Sequence, residues 1–112
     1  LVSEGVDDKE GLTVSGKWTE LNLYHLGRKF EKNCNILPVT TSIIEQLPEI
    51  VSHVKGATKI SVLQPGTEIR PHHGPTNTRI RLHMGLKVSK EAFITVGNET
   101  RTWEEGKTGR VI

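Results

Sequence analysis

Residues 79–87 read Arg-Ile-Arg-Leu-His-Met-Gly-Leu-Lys, and apolar and polar residues take turns along the run. Successive side chains of a strand point to opposite faces, so strict two-residue alternation fits a strand and not a helix. Ile80, Leu82, Met84 and Leu86 share one face, which is expected to pack. Arg79, Arg81, His83 and Gly85 share the other. Two guanidinium groups and an imidazole cannot be buried against an apolar core without partners. Either that face is a solvated edge, or a barrel closes around it and turns the cations inward. Inside a barrel, a carboxylate would meet a guanidinium in a bidentate pair.

A proline-flanked turn precedes this run: Pro71-His72-His73-Gly74-Pro75-Thr76-Asn77. A neutral imidazole held there at His72 suits a borderline metal such as iron or zinc. A lone histidine is more often structural or simply exposed. His73 would point the opposite way on a strand, so both rings cannot easily bind one ion.

Elsewhere, residues 18–24, 59–63, 92–96 and 100–103 read as strands. Gln64-Pro65-Gly66-Thr67, Gly97-Asn98-Glu99 and residues 104–109 read as turns, and so do residues 27–33. Short strands with a turn roughly every ten residues indicate an all-β barrel or sandwich. One helix is expected outside it, over about residues 42–54. Ser42 and Glu45 are spaced as a capping box there, and Ile43, Ile44, Leu47 and Ile50 can share a face. Pro48 interrupts that helix pattern. Residues 1–16 are polar and glycine-punctuated and read as a lead-in arm.

The 112 residues suit one domain. A net charge of +2, spread along the chain, does not support a nucleic-acid partner. The basic run also lacks the interleaved aromatics that RNA stacking would use. Cys34 is the one cysteine, so no internal disulfide forms and the redox compartment is not identified. No run approaches the roughly 18 apolar residues of a membrane span. The chain begins at Leu1 and stops in what reads as mid-strand, as expected of a segment of a longer protein. Trp18 and Trp103 read most simply as core or rim aromatics, and Ser61 as an ordinary strand serine that could also donate to an anion. Asn98-Glu99-Thr100 matches a glycosylation sequon, which most often marks only a polar hairpin turn.

Several segments taken together resemble the aspartyl/asparaginyl β-hydroxylase family. They are Gly16-Lys17-Trp18, Pro65-Gly66-Thr67, Pro71-His72-x-Gly74-Pro75-Thr76-Asn77, Arg79-x-Arg81-x-His83-x-Gly85-Leu86 and Asn98-Glu99-Thr100-x-Thr102-Trp103-Glu104-Glu105-Gly106-Lys107. The resemblance implies a mainly β fold, the double-stranded β-helix (jelly-roll, cupin-like), with a flanking helix and incomplete at the C-terminus. Residues 17–112 would be the N-terminal portion of the catalytic domain. It implies Fe(II), 2-oxoglutarate and O2 as reactants, and hydroxylation at the β-carbon of Asp or Asn in protein substrates with EGF-like domains.

By the same resemblance His72 is an iron ligand. Trp18, Ser61, Arg81, Leu82 and His83 line the 2-oxoglutarate pocket. Gly74 stands where most relatives of the fold carry an acidic ligand, so the iron would be held by two histidines. The second of these and a further arginine lie, in the family, beyond the Trp-Glu-Glu-Gly-Lys segment, so residues 1–112 alone are expected to be inactive. Arg79 shares the face of Arg81 and is assigned to the target carboxylate of the peptide. Animal members are anchored in the endoplasmic reticulum membrane with a luminal catalytic domain. Any membrane attachment here would lie outside this chain. The alternative from another class is a non-catalytic cupin-like module that uses the Arg/His strand to bind a carboxylate.

Overall fold

The computed structural model describes residues 6–7, 11–51, 56–74, 77 and 80–111. The chain divides into two compact units, Leu1–His72 and His73–Ile112. It is mainly β, with short helices confined among the described residues to the first unit.

The first unit runs β1 (Val6–Asp7), β2 (Thr13–Ser15), β3 (Trp18–His25), β4 (Arg28–Lys29), α1 (Glu31–Ile36), α2 (Pro38–Ile44), α3 (Pro48–Val51), β5 (Ala57–Leu63) and β6 (Glu68–Ile69). β3 is its centre. β5 pairs along one edge, and β1 and β4 share the other, all antiparallel. The register sets Trp18 opposite Leu63, Glu20 opposite Ser61 and Leu21 opposite Ile60. Leu21 and Leu23 therefore point to the core, while Trp18, Glu20 and Asn22 share the other face with Ser61 and Lys59. A register shift between Asn22 and Tyr24 breaks the alternation. It lets two consecutive residues, Leu23 and Tyr24, both be buried beside Cys34. Leu37, Ile44 and Ile60 close this core. The expected strands at residues 18–24 and 59–63 and the turn at residues 64–67 are all present.

Two expectations are corrected here. Residues 27–33 are not one turn: Leu26 and Gly27 form a two-residue hairpin with φ of 52° and 79°, and α1 begins at Glu31. The single helix over about residues 42–54 is instead α2 and α3, and residues 52–54 lie outside the described residues. The physical reason is proline. Pro38 and Pro48 each occupy the first turn of a helix, where a missing N–H costs nothing. Pro48 thus starts a helix rather than interrupting one. Ser42 lies inside α2 and donates to the Val39 carbonyl at 2.8 Å, so it caps nothing. Glu45, at the end of α2, accepts from the Tyr24 hydroxyl at 2.7 Å and pairs with Lys29 at 2.7 Å. These bonds fasten the helix end to the sheet. The lead-in arm also does more than lead in, because its Val6–Asp7 and Thr13–Ser15 pair with β3 and β6.

The second unit contains β7 (Leu82–Met84), β8 (Ile94–Val96), β9 (Glu99–Arg101) and β10 (Thr108–Arg110). β8 and β9 form the expected hairpin through Gly97-Asn98, and β10 pairs antiparallel with β7. Alternation holds along β7, but the covered face is not the one expected. Ile80, Leu82, Met84 and Leu86 are 55–70% exposed, whereas Arg81 and His83 are half-buried and Gly85 is buried. The cover on that side comes from residues 103–107. Gly106 donates to the Gly85 carbonyl at 2.8 Å, and Gly85 donates to the Lys107 carbonyl at 3.3 Å.

Candidate functional site

In the first unit, the outward face of β3 and β5 carries the candidate residues. The Trp18 indole N–H donates to Ser61 Oγ at 2.7 Å. Ser61 accepts, so its own O–H remains a donor for a ligand. Beside them Lys59 pairs with Glu20 at 2.6 Å, so acid and base on this face neutralise each other. The position of Trp18 is set by the segment before it. Gly16 has φ of 82°, and a Cβ there would overlap the backbone and side chain of Thr67. Thr67 Oγ1 accepts from the Lys17 amide at 3.0 Å, while Ser15 donates to the Gly66 carbonyl at 3.1 Å. The Gly16-Lys17-Trp18 and Pro65-Gly66-Thr67 segments are therefore two halves of one interlock.

His72 is exposed and follows β6. Its Nδ1 lies 3.0 Å from the Arg70 carbonyl oxygen. A carbonyl only accepts, so Nδ1 carries the proton and Nε2 keeps the lone pair. That orientation is the one second-shell partners impose on metal-binding imidazoles. His72 thus fits as one ligand. Among the described residues no group of three or more His, Cys, Asp or Glu converges to complete a coordination shell.

The second unit holds the remaining candidates. Arg81 and His83 lie on the covered face of the β7 segment, and Leu82 on the exposed face. Arg79 lies outside the described residues. The Trp103 indole N–H donates to His83 Nδ1 at 3.2 Å. Reading the sequence missed this pairing, because nothing in the spacing of two residues 20 apart announces it. Gly85 is the enabling residue. A Cβ there would come within 2.5 Å of the Glu104 carbonyl oxygen. Nearby, Lys107 and Glu104 form an ion pair at 2.8 Å, which lowers the carboxyl's proton affinity and raises the ammonium's.

Among the described residues a large proton-affinity shift falls on Tyr24, in the core. Burial pushes its hydroxyl up to about 12, and the Glu45 carboxylate that it bonds reinforces the effect. Lys29, and then Tyr24, hold Glu45 below the usual carboxylate range. This cluster is an anchor for α2 and carries no ligand-directed group.

The first unit presents one oriented imidazole and a Trp–Ser hydrogen-bonded pair, and the second a half-buried Arg-x-His strand. The comparisons narrow this to one family. The Aspartyl/Asparaginyl beta-hydroxylase family profile matches residues 3–109. The aspartyl/asparaginyl beta-hydroxylases of Homo sapiens and Mus musculus are 43% and 44% identical over 101 residues, covering 89% of this chain. Aspartate beta-hydroxylase domain-containing protein 2 of Homo sapiens is 40% identical over 100 residues, covering 88% of this chain. The chain belongs to the aspartyl/asparaginyl β-hydroxylase family. It spans 13%, 14% and 27% of the lengths of these three relatives.

Proposed function

We propose that this chain is part of a 2-oxoglutarate- and Fe(II)-dependent oxygenase that hydroxylates the β-carbon of Asp or Asn residues in protein substrates with EGF-like domains. The observation that carries the reading is family membership over residues 3–109. The fold we propose for the complete domain is the closed double-stranded β-helix.

The roles proposed for individual residues are those that the family resemblance implies. His72 is one iron ligand, through Nε2. Iron, when bound, supplies the activation of O2 that no protein side chain can perform. Trp18, Ser61, Arg81, Leu82 and His83 line the 2-oxoglutarate pocket. The Arg81 guanidinium suits a carboxylate through paired N–H donors, and the Ser61 hydroxyl supplies one more donor. Arg79 holds the target carboxylate of the peptide. The location we propose is the lumen of the endoplasmic reticulum, with membrane attachment through a segment outside these residues. No helix among the described residues is long and apolar enough to cross a membrane.

The test is succinate formation from 2-oxoglutarate by the full-length protein, with an EGF-like peptide bearing the target Asp. Turnover is expected to require Fe(II) and to fall to background in His72→Ala. Arg79→Ala is expected to raise the peptide KM about tenfold or more, as loss of a charged hydrogen-bonded pair does. Tight 2-oxoglutarate binding with no turnover under any condition would favour the carboxylate-binding module instead.

A further inference from the structure

Asn98-Glu99-Thr100 is the one Asn-x-Ser/Thr triplet in the sequence, and its middle residue is not proline. The fold places it at the tip of a hairpin. The ladder of β8 and β9 closes with Val96 opposite Glu99, so Gly97 and Asn98 are the two loop residues. Gly97 takes the tight part of the turn at a φ of 61°. A Cβ added there would meet nothing within 4 Å, so the tip stands in open space. Asn98 is exposed, and among the described residues its carboxamide makes no hydrogen bond.

We infer that Asn98 is a site of N-linked glycosylation, taking an oligosaccharide from a lipid-pyrophosphate donor. The inference rests on the proposed luminal location, where such a donor is used. In the transfer, Asn98 Nδ2 bonds to the anomeric carbon of the sugar. The bond from that carbon to the pyrophosphate oxygen breaks, the pyrophosphate leaves with the electron pair, and the amide proton passes to a base of the transferase. A bulky, solubilising group of this kind belongs on a surface. At this tip it projects past the last rung of the ladder and displaces no strand bond. The triplet can also open to be read. In the closed hairpin Thr100 Oγ1 lies 2.9 Å from Thr95 Oγ1, whereas the transferase needs that hydroxyl for itself. Among the described residues β8 and β9 pair only with each other. An isolated two-stranded hairpin is marginal in water, so the newly made segment frees the Thr100 hydroxyl before the rest of the domain packs around it.

The test is peptide mass spectrometry on the full-length protein made in animal cells, joined to protease protection of their microsomes. Trypsin cuts after Lys90 and Arg101, so the single peptide Glu91–Arg101 carries the triplet. Releasing the glycan enzymatically in ¹⁸O water turns a glycosylated Asn98 into labelled Asp. The label is expected in the unaltered protein, lost entirely in Thr100→Ala and kept in Thr100→Ser. Thr100→Ala leaves Asn98 in place, so a label that persists there comes from deamidation and overturns the inference. Protease protection reports the location separately. A protected, luminal protein whose peptide is unlabelled overturns the glycosylation and leaves the location standing. A protein digested from the cytosolic face overturns the location, and the glycosylation with it.

Discussion

The two units of this chain are stabilised by different means. The first buries Leu21, Leu23, Tyr24 and Cys34 between a sheet and its helices, and Leu23 is wholly inaccessible. In the second, Gly85 is the one buried position among the described residues, and Leu82, Met84, Leu86 and Phe93 face solvent. Cross-strand backbone bonds and the Trp103–His83 contact organise it in place of a core. Hydrophobic burial is the dominant favourable contribution to folding. The Trp18–Ser61 pair therefore stands on the firmer foundation, and the Arg81–His83 strand on one that more apolar cover would strengthen.

Leu23→Ala should show the contrast most strongly, costing about 2–5 kcal/mol by removing a fully buried side chain. Leu82→Ala, at a position 65% exposed, should change stability by no more than about 0.5 kcal/mol. Chemical denaturation of the two variants measures both, and equal losses would break the distinction between the units. Gly16→Ala comes next, because it puts a Cβ into Thr67 at a φ of 82°. About 1–3 kcal/mol is expected from a strained backbone of this kind, together with a drop in 2-oxoglutarate affinity as Trp18 shifts.

Tyr24→Phe is smaller, about 0.5–1.5 kcal/mol for one hydrogen bond. It also sharpens the contrast through pH. The folded Tyr24 hydroxyl ionises near 12, above the roughly 10 of an unfolded chain. Its contribution is therefore complete below pH of about 10 and lost between there and about 12. Glu45, held low, works at the other end, with its contribution present above the ordinary carboxylate range and lost as the pH falls through its own. Denaturation across pH should show both losses in wild type, with the alkaline one smaller in Tyr24→Phe, where only Lys29, also raised by Glu45, still contributes to it. Least of all, Ser61→Ala should leave stability within about 1 kcal/mol while weakening 2-oxoglutarate binding several-fold by calorimetry.

Much of the architecture could be read from the chain before any coordinates. The alternation at residues 18–24 and 59–63 gave the central pair of strands, because side chains on a half-covered sheet must alternate. The Gly-Asn turn at residues 97–98 gave its hairpin. Pro38 and Pro48 were harder. Proline forbids a helix interior and favours a helix start, and only the position of the next helical bond separates the two. The burial of β7 was not legible for a related reason. Period two fixes which residues share a face, but not which face is covered. That depends on Trp103, whose indole meets His83, and on Gly106, whose backbone meets Gly85, and hydrophobic pattern encodes neither. The family was legible through its motifs, while the pairing of Trp103 with His83 needed the ring geometry.

The Trp18–Ser61 bond also has a consequence in time. Its two ends are 43 residues apart, with α1, α2 and α3 between them. A chain leaving the ribosome gains neither the bond nor the β3–β5 ladder until β5 has emerged, and it must then close that long loop before any contact rewards the lost freedom. During this interval Leu21, Leu23 and the Cys34 thiol lack their final cover. Synthesis should therefore contain a window in which the thiol reacts with alkylating reagents, and that window should close when Trp18 finds its serine.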